Sequence, residues 1–90
     1  MNKAKQQTLI NFKKTRSLLD KIIKMIDEDK YCIDIIQQNL AAIGLLKSAN
    51  AMLMEGHLNS CFKNAVISKN SAKQQKMIAE ILKVTKLTNK

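Results

Sequence analysis

From about Lys3 to Asp27, apolar side chains recur at Leu9, Phe12, Leu19, Ile22, Ile23 and Ile26. Spacings of three and four mark one face of an amphipathic helix. Its other face carries Lys5, Lys13, Lys14, Arg16, Lys21 and Lys24, offset mainly by Asp20. The acidic run Asp27-Glu28-Asp29 breaks the pattern, and Asp29 is the preferred capping side chain for a second helix. That helix, over residues 30–63, carries Ile33, Ile36, Leu40, Ile43, Leu46, Leu53 and Leu58 with small residues between them. So short a connection makes the first two helices an antiparallel hairpin. Lys69-Asn70-Ser71 is the next break, where Ser71 with Gln74 three residues on reads as a capping box. The third helix, 71–87, shows Ile78, Ile81, Leu82 and Thr85 on one face, and residues 87–90 are expected to fray. The fold class is therefore all-α, a three-helix protomer forming a single domain over 1–90.

Length adds a constraint. Ninety residues make one small domain whose core is marginal for a stable monomer. The second helix, about 45 Å long at about 1.5 Å per residue, would leave its outer turns in water unless other chains cover them. An oligomer, at least a dimer, is expected.

Composition narrows the function. Pro is absent, Gly occurs twice and aromatic residues are scarce, in keeping with a nearly all-helical chain. Sixteen Lys and Arg against seven Asp and Glu give a net charge of +9, which points to a polyanionic partner, nucleic acid first and an anionic membrane second. The basic face of the first helix, with Lys13, Lys14, Arg16 and Lys21, is the strongest nucleic-acid candidate. The N-terminal stretch MNKAKQQTLINFKK has charge but no apolar run, so it reads as neither a secretory signal nor a membrane span. A cytoplasmic location follows as the expectation, and there the two thiols stay reduced, available to metal or redox chemistry. No glycine-rich phosphate loop occurs. Nothing assembles a nucleophile, a base and an oxyanion donor, so an enzyme is not expected.

The two cysteines and the one histidine lie within Tyr31 to Phe62, His57 twenty-five residues after Cys32 and Cys61 four after His57. At about 100° per residue, all three fall on one stripe of a continuous helix. His57 and Cys61, one turn apart, can hold the same ion, whereas Cys32 sits about 37 Å along the axis. Two copies packed antiparallel about a two-fold axis near residue 45 would bring Cys32 of one level with His57 and Cys61 of the other, twice per dimer. Gly44 would fall close to that crossing. Two thiolates and an imidazole make a soft three-coordinate set that suits Cu(I) better than Mg(II), Ca(II) or Mn(II), while Zn(II) would want a fourth ligand.

The segments DEDKYCIDIIQQNLAAIGLL and EGHLNSC resemble the copper-sensing operon repressor family (CsoR), whose other branches respond to nickel or cobalt, to formaldehyde and to persulfide. The likeness is close over about residues 18 to 67 and looser in the first and last helices. It implies a three-helix protomer dimerised as an antiparallel four-helix bundle and paired again into a tetramer. It also implies a DNA-binding repressor released by Cu(I), with Cys32 from one protomer, His57 and Cys61 from another, and Tyr31 beside the metal-bound histidine. Departures occur at Lys14 to Lys21, where the family usually reads Arg-Ile-Glu-Gly-Gln-Val-Arg-Gly, and at Ile43, where a basic residue is usual. Glu80 is the one acidic group of the last helix. Two alternatives stand beside copper sensing: a persulfide-sensing repressor using Cys32 and Cys61, and a helical oligomer that buffers copper without binding DNA.

Overall fold

The computed structural model describes residues 3–88. Helix α1 spans Lys3–Asp27 and α2 spans Cys32–His57; a π-helical turn, Leu58–Phe62, leads into the short α3, Lys63–Ile67, and α4 spans Ser71–Thr88. The expected all-α class holds, with no strand among the described residues. The second helical stretch runs on to Ile67 instead of ending near residue 63. Leu87 and Thr88, expected to fray, are helical, and the remainder of that expectation, Asn89 and Lys90, lies outside the described residues. The chain divides into two compact units, Met1–Glu55 and Gly56–Lys90.

In the first unit, the residues withdrawn from solvent on α1 are Ala4, Thr8, Asn11, Thr15, Leu18, Ile22 and Met25, and on α2, apart from Met54 near the end of the unit, Ile35, Gln38, Ala42, Leu45, Ala49 and Met52. Both series alternate steps of three and four, the seam of two helices packed side by side. Counting outward from the turn, Leu18 is level with Ala42, Thr15 with Leu45, Asn11 with Ala49 and Thr8 with Met52. That register sets larger residues of one helix opposite smaller ones of the other. The apolar face expected on α1 is not this seam: of its six residues only Ile22 is buried. On α2 the buried positions are Ala42 and Ala49, and Ile33, Ile36, Leu40, Ile43, Leu46 and Leu53 are exposed. The reason is size, because close packing of two helices selects small side chains and turns the large ones outward.

Polar groups in this seam are satisfied locally. The Thr8 hydroxyl donates to the Ala4 carbonyl at 2.7 Å and the Thr15 hydroxyl to the Asn11 carbonyl at 2.9 Å. Such bonds to the carbonyl four residues back let a threonine sit in a helix interface without an orphaned donor.

The turn after α1 is built by hydrogen bonds. Lys30 N–H donates to the Met25 carbonyl (2.9 Å) and Asp29 N–H to that of Ile26 (3.1 Å), with Asp29 at φ 54°. This pair of bonds around a left-handed residue ends α1 in a Schellman motif. Asp29 therefore closes α1 rather than capping α2, whose first turn begins with Ile35 N–H donating to the Tyr31 carbonyl at 3.2 Å. Around it, Glu28 lies 3.8 Å from both Lys24 and Lys30.

In the second unit, α4 packs against α3. The half-buried residues of α4 are Gln74, Met77 and Ile81, while Ile78, Leu82 and Thr85 of the expected apolar face are exposed. Capping also differs from expectation. Asn70 Oδ1, not Ser71, accepts the Lys73 N–H at 3.1 Å, and Gln74 Nε2 reaches back to the Ala65 and Val66 carbonyls at 3.4 and 3.2 Å. Gln74 thus ties the end of α3 to the start of α4 instead of closing a box with Ser71. Lys69, at φ 56°, supplies the left-handed residue between them.

Candidate metal centre

Cys32 opens α2 and His57 closes it; Cys61 lies inside the π turn. Both cysteines are exposed free thiols, and His57 is half-buried. Among the described residues no three His, Cys, Asp or Glu side chains converge as a metal-holding group. The donors a single turn provides are His57 and Cys61.

The π turn alters the stripe expected of a uniform α-helix. A π turn closes hydrogen bonds over five residues instead of four, so each residue within it advances by less than 100°. Cys61 therefore lies more nearly above His57 than four α-helical steps would put it, and every residue beyond is re-phased. Its local cause can be read in the sequence: Gly56, Asn59 and Ser60 are all weak helix formers. The Ser60 hydroxyl donates to the Gly56 carbonyl at 2.6 Å, and its oxygen lies 3.8 Å from Cys61 Sγ. Wide turns of this kind recur at functional sites. Gly44 faces open space, with nothing within 4 Å of an added Cβ.

Tyr31 is two-thirds exposed and immediately precedes Cys32. Of the DNA-contact candidates, Lys13, Lys14, Arg16 and Lys21 are all exposed on α1. Helical phase separates them. Lys14 and Lys21 lie on the side away from the outward apolar residues and Lys13 at its edge, whereas Arg16 falls in line with Leu9, Phe12, Leu19 and Ile23. No helix among the described residues is long and apolar enough to cross a membrane.

A helical chain with one free thiol at the start of α2, and an imidazole and a second free thiol one turn apart at its far end, has the ingredients of a helical metal sensor. Residues 4–86 match the model of the metal-sensitive transcriptional repressor family, and the chain belongs to that family. It is similar to the copper-sensing transcriptional repressor CsoR of Mycobacterium tuberculosis (strain ATCC 25618 / H37Rv), 35% identical over 86 residues that cover 94% of this chain and 70% of the relative. The CsoR of Bacillus subtilis (strain 168) is 29% identical over 85 residues, covering 94% and 81%. A shorter match, 44% over 45 residues, covers 50% of this chain and 47% of the copper-sensing transcriptional repressor RicR of M. tuberculosis.

Proposed function

We propose that this chain is a Cu(I)-responsive transcriptional repressor without catalytic activity, acting in the cytoplasm as a homodimer or homotetramer. The observation that carries the reading is the donor set: exposed free Cys32 and Cys61 with His57, in a chain whose relatives are named copper-sensing repressors. Two thiolates and an imidazole fit a soft monovalent ion. Cys32 of one protomer joins His57 and Cys61 of its partner, since a single turn supplies two donors and the third must come from elsewhere. Held by these residues, Cu(I) would tie two protomers together. Metal-free protein holds operator DNA through basic side chains including Lys13, Lys14, Arg16 and Lys21, largely at phosphates. Metal held there would favour an arrangement that fits DNA less well, with Tyr31 coupling the histidine to that change. By linkage, DNA weakens Cu(I) binding by the same factor.

Gel-shift titration against the protein's own promoter region tests this. Metal-free protein should retard the fragment, and one Cu(I) per protomer under reducing conditions should release it. Cys32→Ala and Cys61→Ala should abolish thiolate-to-metal absorption, and His57→Ala should keep binding Cu(I) yet fail to release DNA. If no fragment is retarded beyond random DNA, the repressor reading fails and a copper-buffering oligomer replaces it. The exposure of both thiols favours one further reading, a persulfide sensor that cross-links Cys32 to Cys61 between subunits. That reading takes over if polysulfide releases DNA from wild type and His57→Ala alike while Cu(I) acts weakly.

A further inference from the structure

Charge is unevenly divided between the two units. Residues 1–55 hold nine Lys and Arg against six acids, whereas residues 56–90 hold seven Lys against Glu80 alone, which is +6 of the net +9. In the first unit acids interleave with bases, and Glu28 is shared by two lysines. Among the described residues, no lysine of α4 forms an ion pair.

Helix α4 sorts these charges to one side. With Gln74, Met77 and Ile81 half-buried on its inner side, the phase of about 100° per residue puts Lys76, Lys83 and Lys86 within an arc of about 80° on the other, with Lys73 at its edge, about 60° from Lys76. The row is about 20 Å long. Lys73 with Lys76 and Lys83 with Lys86 are like-charge pairs three residues apart, and Glu80, at neighbour spacing from Lys76 and Lys83, is the one acid among them, so the row keeps a charge of +3 that a polyanion can neutralise. A duplex, with one negative charge per about 1.7 Å of its axis, offers matching charge over that length. A bilayer surface fits less well, because a helix lying in one must sink its apolar side into lipid. On α4 Met77 and Ile81 are half-buried, and the exposed Ile78 and Leu82 make only a short apolar strip, too little to seat the helix in lipid.

We propose that Lys73, Lys76, Lys83 and Lys86 of α4 form a surface that binds the backbone of duplex DNA and supplies sequence-independent affinity to operator binding. The proposal rests on the repressor reading. Lysine ammoniums are point charges on flexible stems, lacking the planar fork that reads base edges, so this surface sets affinity and salt dependence while leaving sequence choice to other residues.

The test is fluorescence anisotropy of the full chain, metal-free, with a labelled promoter duplex and a scrambled duplex over a salt series. The variant K73Q/K76Q/K83Q/K86Q should bind both duplexes about tenfold or more weakly, and by the same factor. Its slope of log affinity against log salt should be shallower by about 0.9 for each phosphate that the variant no longer neutralises. Glu80→Lys, which places a fifth cation on the same side, should tighten binding to both duplexes and steepen the slope. Impaired folding cannot mimic that gain. Unchanged affinity and slope in both variants overturns the proposal while leaving the repressor reading intact. Loss confined to the promoter duplex also overturns it, as does loss of binding to phosphatidylserine-containing vesicles with DNA binding unaltered. Failure of the wild type to bind either duplex overturns both readings.

Discussion

The two long sides of α1 contrast. The side turned to α2 is lined by Thr8, Asn11 and Thr15, all buried, with Ile22 the one large apolar residue buried beside them. The side turned outward carries Leu9, Phe12, Leu19, Ile23 and Ile26, from 42% exposed at Phe12 to 60% at Ile26. Helix α2 repeats the contrast, with Ala42 and Ala49 buried and Leu40 and Ile36 at least half exposed. A protomer that closes its hairpin with small and polar residues and presents its large apolar ones to water has left most of its hydrophobic free energy unrealised. What is inside fixes the spacing of the helices; what is outside is available to drive association.

The largest effect should come from charging the outward row. Ile23→Asp removes apolar burial of about 1–2 kcal/mol in an assembled form and adds a carboxylate whose unpaired burial costs several kcal/mol more. Light scattering should show this variant at the mass of one protomer, with circular dichroism reporting reduced helicity. If wild type already runs as a well-folded monomer, the outward row drives no association and the shared Cys32/His57/Cys61 site goes with it.

The inner seam should respond to volume instead. Ala49, 1% exposed and level with Asn11, has no room for the branched end of a leucine, so Ala49→Leu should cost about 1–3 kcal/mol by overpacking despite its greater hydrophobicity. The same change at an outward position should be near neutral. Thr15→Val tests the polar part of the seam. It loses a hydroxyl bonded to Asn11 within its own helix, so urea unfolding should register a change of about 1 kcal/mol or less. A loss well beyond that would mean that the hydroxyl holds the two helices together.

Much of this is legible in the chain. Three helices, their breaks near residues 28 and 69, and the placing of Cys32, His57 and Cys61 at the ends of one helical stretch follow from apolar spacing and from the scarcity of Gly and Pro. The inner face is not legible, because periodicity locates an apolar stripe without saying whether it meets its own hairpin partner or another chain. Here Leu9, Phe12, Leu19, Ile23 and Ile26 form an outward stripe beside a second stripe of the same period, Thr8-Asn11-Thr15-Ile22, whose polar members hide it. The π turn escapes a reading that carries a 100° step through Gly56, Asn59 and Ser60, residues that weaken regular α-helix. The caps are ambiguous for a related reason. Asp and Asn favour helix starts and left-handed helix ends alike, and Asn and Ser are equally good N-caps, so sequence alone does not show that Asp29 ends α1 or that Asn70 rather than Ser71 caps α4.

The smallest expected effect concerns the second unit, where local backbone cost, rather than apolar area, is what can be changed cleanly. Lys69 adopts φ 56° in the turn between α3 and α4, a conformation that crowds Cβ in any residue except glycine. Its side chain forms no ion pair among the described residues. Lys69→Gly should therefore stabilise the turn, by about 1 kcal/mol less the entropy that glycine adds to the unfolded chain. Asp29→Gly, in the equivalent left-handed position after α1, should gain less, since Asp tolerates that conformation better than Lys. Thermal unfolding of the two variants orders them directly. Destabilisation by Lys69→Gly would show that the lysine side chain, not the backbone, is what that turn requires.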